Sequence, residues 1–303
     1  MPRTRQGNRR RAAAWYFLKL CQILAHLPNE DSTQLINPAN FNPEQGRAAQ
    51  FAASVIDRRA SMPTALTLQF APGQRPTGDE VARLALRAAE STKFAVSHQP
   101  AADEGWIELI AMGLTFEASG LAPNDQAHST AAGHFFGLEA ASPAHGLEAV
   151  RLVPGPHLSS GRMLFPVLRV LCGLGAELAR LPGLRAVGWE AASSWMAPAY
   201  FMSAVRAWLV GGAFPALGLT ALREEQDGAL HSEGLALFTG YEVRIESKPG
   251  ETPQELAKLA SRAIHHLVQA GPQALANVAD TAGKVLHSEM TCGDQLLRLW
   301  REA

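Results

Sequence analysis

Residues 93–97, 106–112 and 114–118 are three short stretches rich in apolar side chains, with little chain between them. Runs of this length, bounded by turn residues, read as strands. A parallel pair needs a crossover of a dozen or more residues, so strands that succeed one another through short turns favour antiparallel sheets. The same pattern appears at 65–70 and 149–153, then at 186–189, 214–222, 229–238 and 242–245, with Asp227-Gly228 as a hairpin turn in the last group.

Helices announce themselves between these runs. Thr77-Gly78-Asp79-Glu80 has the spacing of a capping box, in which the threonine hydroxyl accepts from the amide three residues on and the glutamate returns to the threonine amide. Val81, Leu84, Ala85 and Ala88 then share a face. Thr252-Pro253-Gln254-Glu255 repeats the device with proline at the first helical position, ahead of the stripe Leu256, Leu259, Ala263, Ile264, Leu267 and Val268. A further helix, opened by Ser159 or Ser160, carries Leu164, Val167, Leu168, Leu171 and Leu178 and ends at Leu181-Pro182-Gly183. Another opens at Pro198 and carries Phe201, Val205, Trp208 and Leu209. Helices are also expected over 12–27 and 48–59, and in two pieces over 273–303, divided near Thr291-Cys292-Gly293.

The expected class is therefore α+β, with two units, each a mainly antiparallel sheet covered by helices, and with helical extensions at both termini. The division places a tail, helix and linker in 1–62, the first unit in 63–147, the second in 148–272 and C-terminal helices in 273–303. A chain of 303 residues with 47% apolar and 18% charged residues can bury a sizeable core, which excludes wholesale disorder. Three cysteines, Cys21, Cys172 and Cys292, form no C-x-x-C pair and argue against a disulfide framework. Cys172 lies in an apolar run and reads as a small buried hydrophobe. Arg3, Arg5 and Arg9 to Arg11 precede an apolar stretch, but Lys19 and Gln22 interrupt it and no clean cleavage site follows. With no run of 18 apolar residues, the expectation is a soluble, cytoplasmic protein without a membrane partner.

Chemical motifs are scarce. No phosphate loop, H-E-x-x-H helix or G-x-S-x-G elbow occurs, and no cofactor is implied. Gly173 and Gly175 lie inside an apolar helical pattern and read as sites of close packing. Asp125, His128, His134, Glu139 and His145 are the best metal ligands by residue type. Their spacings fit no helix face, so they also read as ordinary polar loop residues, and no metal site is assigned. An enzyme with a hydrolytic or metal-dependent site around His128, His134 and His145 is the alternative function. His265-His266 point about 100° apart on a helix and cannot easily share one ion. His231-Ser232-Glu233 contains the letters of a triad, but consecutive strand residues face opposite ways. Glu190, Ser193 and Ser194 follow a strand end without a partner base, and a serine cap for the next helix is the simpler role. Trp189, Trp195, Phe201, Trp208 and Phe214 read as core, with an interface as the alternative.

Charge is more informative by position than by sum. Lys+Arg 27 against Asp+Glu 28 gives a net charge of −1, which excludes a globally basic nucleic-acid binder. From Phe94 through Val150, however, there is no Lys or Arg, while Asp103, Glu104, Glu108, Glu117, Asp125, Glu139 and Glu148 supply acid. The first 29 residues are the converse, with six basic residues and no acid. An acidic stretch of this kind reads either as an ordinary solvated face or as a surface that steers a basic partner.

A resemblance adds to this reading. Val187-Gly188-Trp189-Glu190, Ser194, the helix opened by Pro198, Phe214-Pro215-Ala216-Leu217 and the run Gly234 to Val243 resemble an uncharacterised bacterial α+β domain family found around toxin–immunity loci. The stretch is also similar to immunity proteins of type VI secretion effectors. The resemblance implies a non-enzymatic protein that sequesters a cognate toxin, such as a nuclease effector, and it carries over no catalytic residue. Combined with the charge pattern, the expected partner-binding residues are Asp103, Glu104, Asp125, Glu139 and Glu148, with no direct contact to nucleic acid.

Overall fold

The computed structural model describes residues 64–88, 93–124, 131–138, 146–291 and 295–302. The helices expected over 12–27 and 48–59 lie outside the described residues, as do Cys21, Cys292, Asp125, His128, Glu139 and His145. The fold is α+β, with two mainly antiparallel sheets.

The larger sheet is built from β1 (Leu66–Phe70), β2 (Phe94–His98), β3 (Trp106–Ala111), β4 (Leu114–Ser119), β5 (His134–Phe136), β6 (Glu148–Pro154), β7 (Leu184–Trp189) and β8 (Ser194–Met196). Their order is β2-β3-β4-β6-β1-β7-β8-β5, so β2 and β5 form the edges. The division expected between residues 147 and 148 therefore runs through the middle of this sheet. β6 begins there and pairs with β1 on one side and β4 on the other. The second sheet, ordered β12-β13-β11-β10-β9, holds β9 (Ala221–Glu224), β10 (Leu230–Glu233), β11 (Glu242–Ile245), β12 (His287–Thr291) and β13 (Leu296–Trp300).

Both capping boxes form. Thr77 opens α1 (Gly78–Ala85) with Glu80 returning to its amide, and Thr252 opens α4 (Pro253–Ala270) with Glu255 in the same role. The α4 stripe from Leu256 to Leu267 is buried as its spacing predicts, while Val268 is half-buried. Between them, α2 (Phe165–Leu178) and α3 (Pro198–Leu209) cover one face of the larger sheet. Neither Ser159 nor Ser160 caps α2. Its N-cap is Leu164, with Pro166 in the first turn, and Ser159 belongs to a preceding 3-10 turn. The glycines of α2 serve packing. A Cβ on Gly175 would lie 2.6 Å from Leu66 Cδ1, and one on Gly173 3.1 Å from Leu209 Cδ1, so the helix seats close against β1 and α3.

Three stretches depart from expectation. Within the strand expected over 214–222, Ala216–Leu219 is a short helical turn, and β9 begins only at Ala221. The described residues of 273–303 hold no α-helix: after the 3-10 turn Pro272–Asn277 they form the antiparallel pair β12–β13. Leu297 and Leu299 are buried on either side of exposed Arg298, a period of two that only a strand satisfies. Ala236–Thr239, expected as the end of a strand, is a single helical turn stopped by Gly240 at φ +91°.

The core is continuous across both sheets. Trp208 meets Phe214 edge-on at 5.4 Å, Phe214 meets Phe238 at 4.9 Å, and Phe238 stacks on Trp189 at 6.1 Å. The aromatic group is thus interior, and the interface alternative does not apply to it. Cys172 is fully buried, and burial pushes its thiol up to about 12. Glu177 is also buried. It accepts from Arg180 at 2.9 Å and Arg206 at 3.0 Å, tying α2 to α3.

Candidate interaction face

Three strands of the Lys/Arg-free segment, β2, β3 and β4, assemble at one end of the larger sheet, whereas β5 forms the opposite edge. Directly opposed residues in an antiparallel pair share a face. Ile107 faces Ala118 and Leu109 faces Phe116, all buried. The opposite face carries Trp106 against Ser119, Glu108 against Glu117 and Ile110 against Thr115, and Ala95 of β2 lies beside Ile110. β2, β3 and β4 contain no Lys or Arg, and their one histidine, His98, is paired with Glu108 across β2 and β3.

Local contacts fix several of these groups. The Ser97 hydroxyl donates to Glu108 Oε1 at 2.7 Å, and the Trp106 indole N–H donates to Glu104 Oε2 at 3.2 Å. The His98 ring lies 5.4 Å from Trp106. Asp103 and Glu104 are exposed on the 3-10 turn Ala102–Glu104, which ends on Gly105 at φ +68°. A Cβ on Gly105 would fall 2.3 Å from Asn124 Cβ, so only glycine permits this turn to pack where it does. Asp79, in the first turn of α1, accepts from Gln99 at 2.9 Å.

Of the five expected partner-binding residues, Asp103 and Glu104 are surface groups at this end of the sheet, and Asp125 and Glu139 lie outside the described residues. Glu148 is already engaged within the chain. Arg75 donates to its carboxylate at 2.9 Å and the Gly73 amide at 3.1 Å, while the same guanidinium reaches the Gly120 carbonyl at 2.8 Å. The hydrogen bond from Arg75 holds the Glu148 carboxyl below the usual range. Its charge is neutralised by an arginine from outside the acidic segment, so it fastens the β1–α1 loop to β6. The sequence reading missed the Glu108–Glu117 opposition as a site. Its signal was the matched alternation of Trp106-Ile107-Glu108 and Phe116-Glu117-Ala118 about a tight turn.

The other described candidates are held in local contacts. His134 Nε2 lies 3.0 Å from Glu233 Oε2, and Glu233 Oε1 accepts from Arg223 at 3.0 Å. Burial raises the Glu233 pKa, and the bonds from His134 and Arg223 outweigh it, leaving the carboxyl below its ordinary value. Among the described residues no group of three or more His, Cys, Asp or Glu could hold a metal ion. His231 pairs with Glu225 at 3.1 Å, while Ser232 turns the other way and donates to half-buried Glu242 at 2.5 Å. Glu190 is held by a two-point bond from Arg151, at 3.0 and 3.2 Å. Ser194 donates to the Gly218 carbonyl instead of capping α3, whose N-cap is Ala197. His265 Nδ1 accepts from the Phe214 amide at 3.1 Å, and burial lowers its pKa.

No helix among the described residues is long and apolar enough to cross a membrane. Comparison with protein-family models, with curated proteins and with solved structures found no match for this chain.

Proposed function

We propose that this protein is a binding protein that captures a basic partner on the outer face of β2, β3 and β4, and that the partner is a cognate toxin which it neutralises. The observation that carries the reading is the opposition of Glu108 and Glu117 across β3 and β4. Like charges directly opposite one another destabilise a sheet, and a sheet keeps such a pair at a cost in stability. A basic partner removes that cost on binding. The surrounding groups suit an interface: Trp106 is half-buried, Ile110 is 37% exposed, and Asp103 and Glu104 stand at the rim. Apolar anchors within a charged rim slow dissociation, while the acidic groups speed capture of a basic partner.

The resemblance of residues 184–246 to domains of toxin–immunity loci supports a toxin, such as a secreted nuclease effector, as the partner. Nucleases present basic surfaces to their substrate, which matches an acidic face. The test is co-expression with the protein encoded beside it. The reading expects that the two co-purify and that co-expression rescues growth from the partner's toxicity. Neither co-purification nor rescue would refute it. Charge reversal at Glu108 and Glu117 then separates this face from others, because it should abolish rescue in a protein that still folds.

A further inference from the structure

The chain that leaves α3 is a strap whose far end is fastened by a titratable group. α3 ends at Leu209, and the Gly211 and Gly212 amides donate back to the Trp208 and Ala207 carbonyls at 3.0 and 2.8 Å. Val210 is 77% exposed, and Gly211 takes φ +100° with open space where a side chain would stand. Two glycines in succession at an exposed turn give the strap a hinge. Its far end is Phe214, whose buried ring lies edge-on to Trp208 at 5.4 Å and to Phe238 at 4.9 Å.

The fastening is the hydrogen bond from the Phe214 amide to His265 Nδ1 at 3.1 Å. An imidazole nitrogen accepts only when it carries no proton, so the bond requires neutral His265 with its proton on Nε2. A proton on Nδ1 would set two N–H groups against each other and leave the amide of buried Phe214 without its acceptor. His265 is half-buried on α4, and burial, followed by the charge of His266, holds its pKa below the ordinary histidine value. His266 faces it ring to ring at 5.5 Å, and among the described residues of the elements packed against α4 no other charge shifts it.

We propose that His265 is an acid-operated latch on this strap. Protonation unfastens Phe214 from α4, the strap swings out about Gly211 and Gly212, and the Phe214 ring leaves its place between Trp208 and Phe238. The closed strap excludes the proton, whereas the open strap accepts it at the ordinary histidine value. Closure is therefore complete above that value and weakens as pH falls toward the lower value of the closed state. The latch works whether or not the outer face of β2, β3 and β4 captures a partner.

Amide hydrogen exchange of the full chain, followed by NMR and corrected for the intrinsic pH dependence of exchange, tests the proposal. Protection of the Phe214 amide should fall at least fivefold between about pH 7.5 and about pH 5, while Leu171, buried in α2, keeps its own. His265→Asn offers Oδ1 in place of Nδ1 and does not titrate, so it should hold the Phe214 protection across that range. His265→Leu should lose it at both ends, and His266→Gln should keep the pH dependence with its midpoint moved up. Unchanged Phe214 protection in acid, the same fall in His265→Asn, or an equal fall at Leu171 would each overturn it.

Discussion

Replacing Glu108 and Glu117 with glutamine, singly and together, reads the strain in the acidic face directly. The two side chains are directly opposed on adjacent strands, a pairing for which a charge separation of roughly 6 Å is typical. Coulomb's law at that distance in a dielectric of about 80 gives roughly 0.7 kcal/mol of repulsion. Screening reduces it to about 0.6 kcal/mol at 10 mM salt, about 0.3 at 150 mM and about 0.1 at 1 M. Each single substitution should therefore stabilise the fold at 10 mM salt by about 0.6 kcal/mol, and the second should add nothing more from this source. Glu108→Gln keeps an oxygen able to accept from Ser97, so that bond need not be lost. Urea unfolding followed by tryptophan fluorescence, at 10 mM and 1 M NaCl, gives the coupling energy of the double-mutant cycle. A coupling that is zero, attractive or independent of salt would refute the placement of two unneutralised carboxylates face to face.

Other expectations follow from the interior. Gly175→Ala places a methyl 2.6 Å from Leu66 Cδ1 and should destabilise by about 1–3 kcal/mol in urea unfolding. Glu177→Gln removes the buried charge that receives Arg180 and Arg206; because both arginines are partly exposed, the loss should be about 1–3 kcal/mol, and Arg206→Ala in the same background should cost little more. The hydrogen bond from Lys248, aided by the amides of Lys284 and Ala282, lowers the Asp280 pKa from 3.8 to about 2. A carboxyl depressed in the folded state lends stability that is complete above the unfolded value and disappears as pH falls through the folded one. Stability should therefore decline between about pH 4 and pH 2, and Asp280→Asn should flatten that slope in acid unfolding curves.

Much of the architecture is written locally in the sequence. Both capping boxes, Pro198 at the first turn of α3 and the Asp227-Gly228 turn are short-range devices, each satisfied by residues within four positions of one another. The C-terminal hairpin was legible in the alternation of Leu297, Arg298 and Leu299. The alanine-rich run before it and the long α4 invite extending helix through the whole tail. What the sequence hides is long-range pairing. Glu148 reads as a free surface acid until Arg75, 73 residues earlier, is seen to hold it, and Glu177 meets Arg206 across 29 residues. The same limit explains the misplaced unit boundary, because nothing local to β6 reveals that both its neighbours come from earlier in the chain. The acidic face lay between these extremes. Its charge was visible by position, but its focus on Glu108 and Glu117 depends on the register of β3 and β4.

The rate of association between this protein and its co-expressed partner, measured by stopped-flow fluorescence from 20 to 500 mM NaCl, tests the central claim most directly. Capture by the acidic face predicts an on-rate that falls steeply with salt. It also predicts at least a tenfold drop at low salt for Glu108→Lys combined with Glu117→Lys, with the fold intact. An on-rate indifferent to both salt and that charge reversal would contradict it.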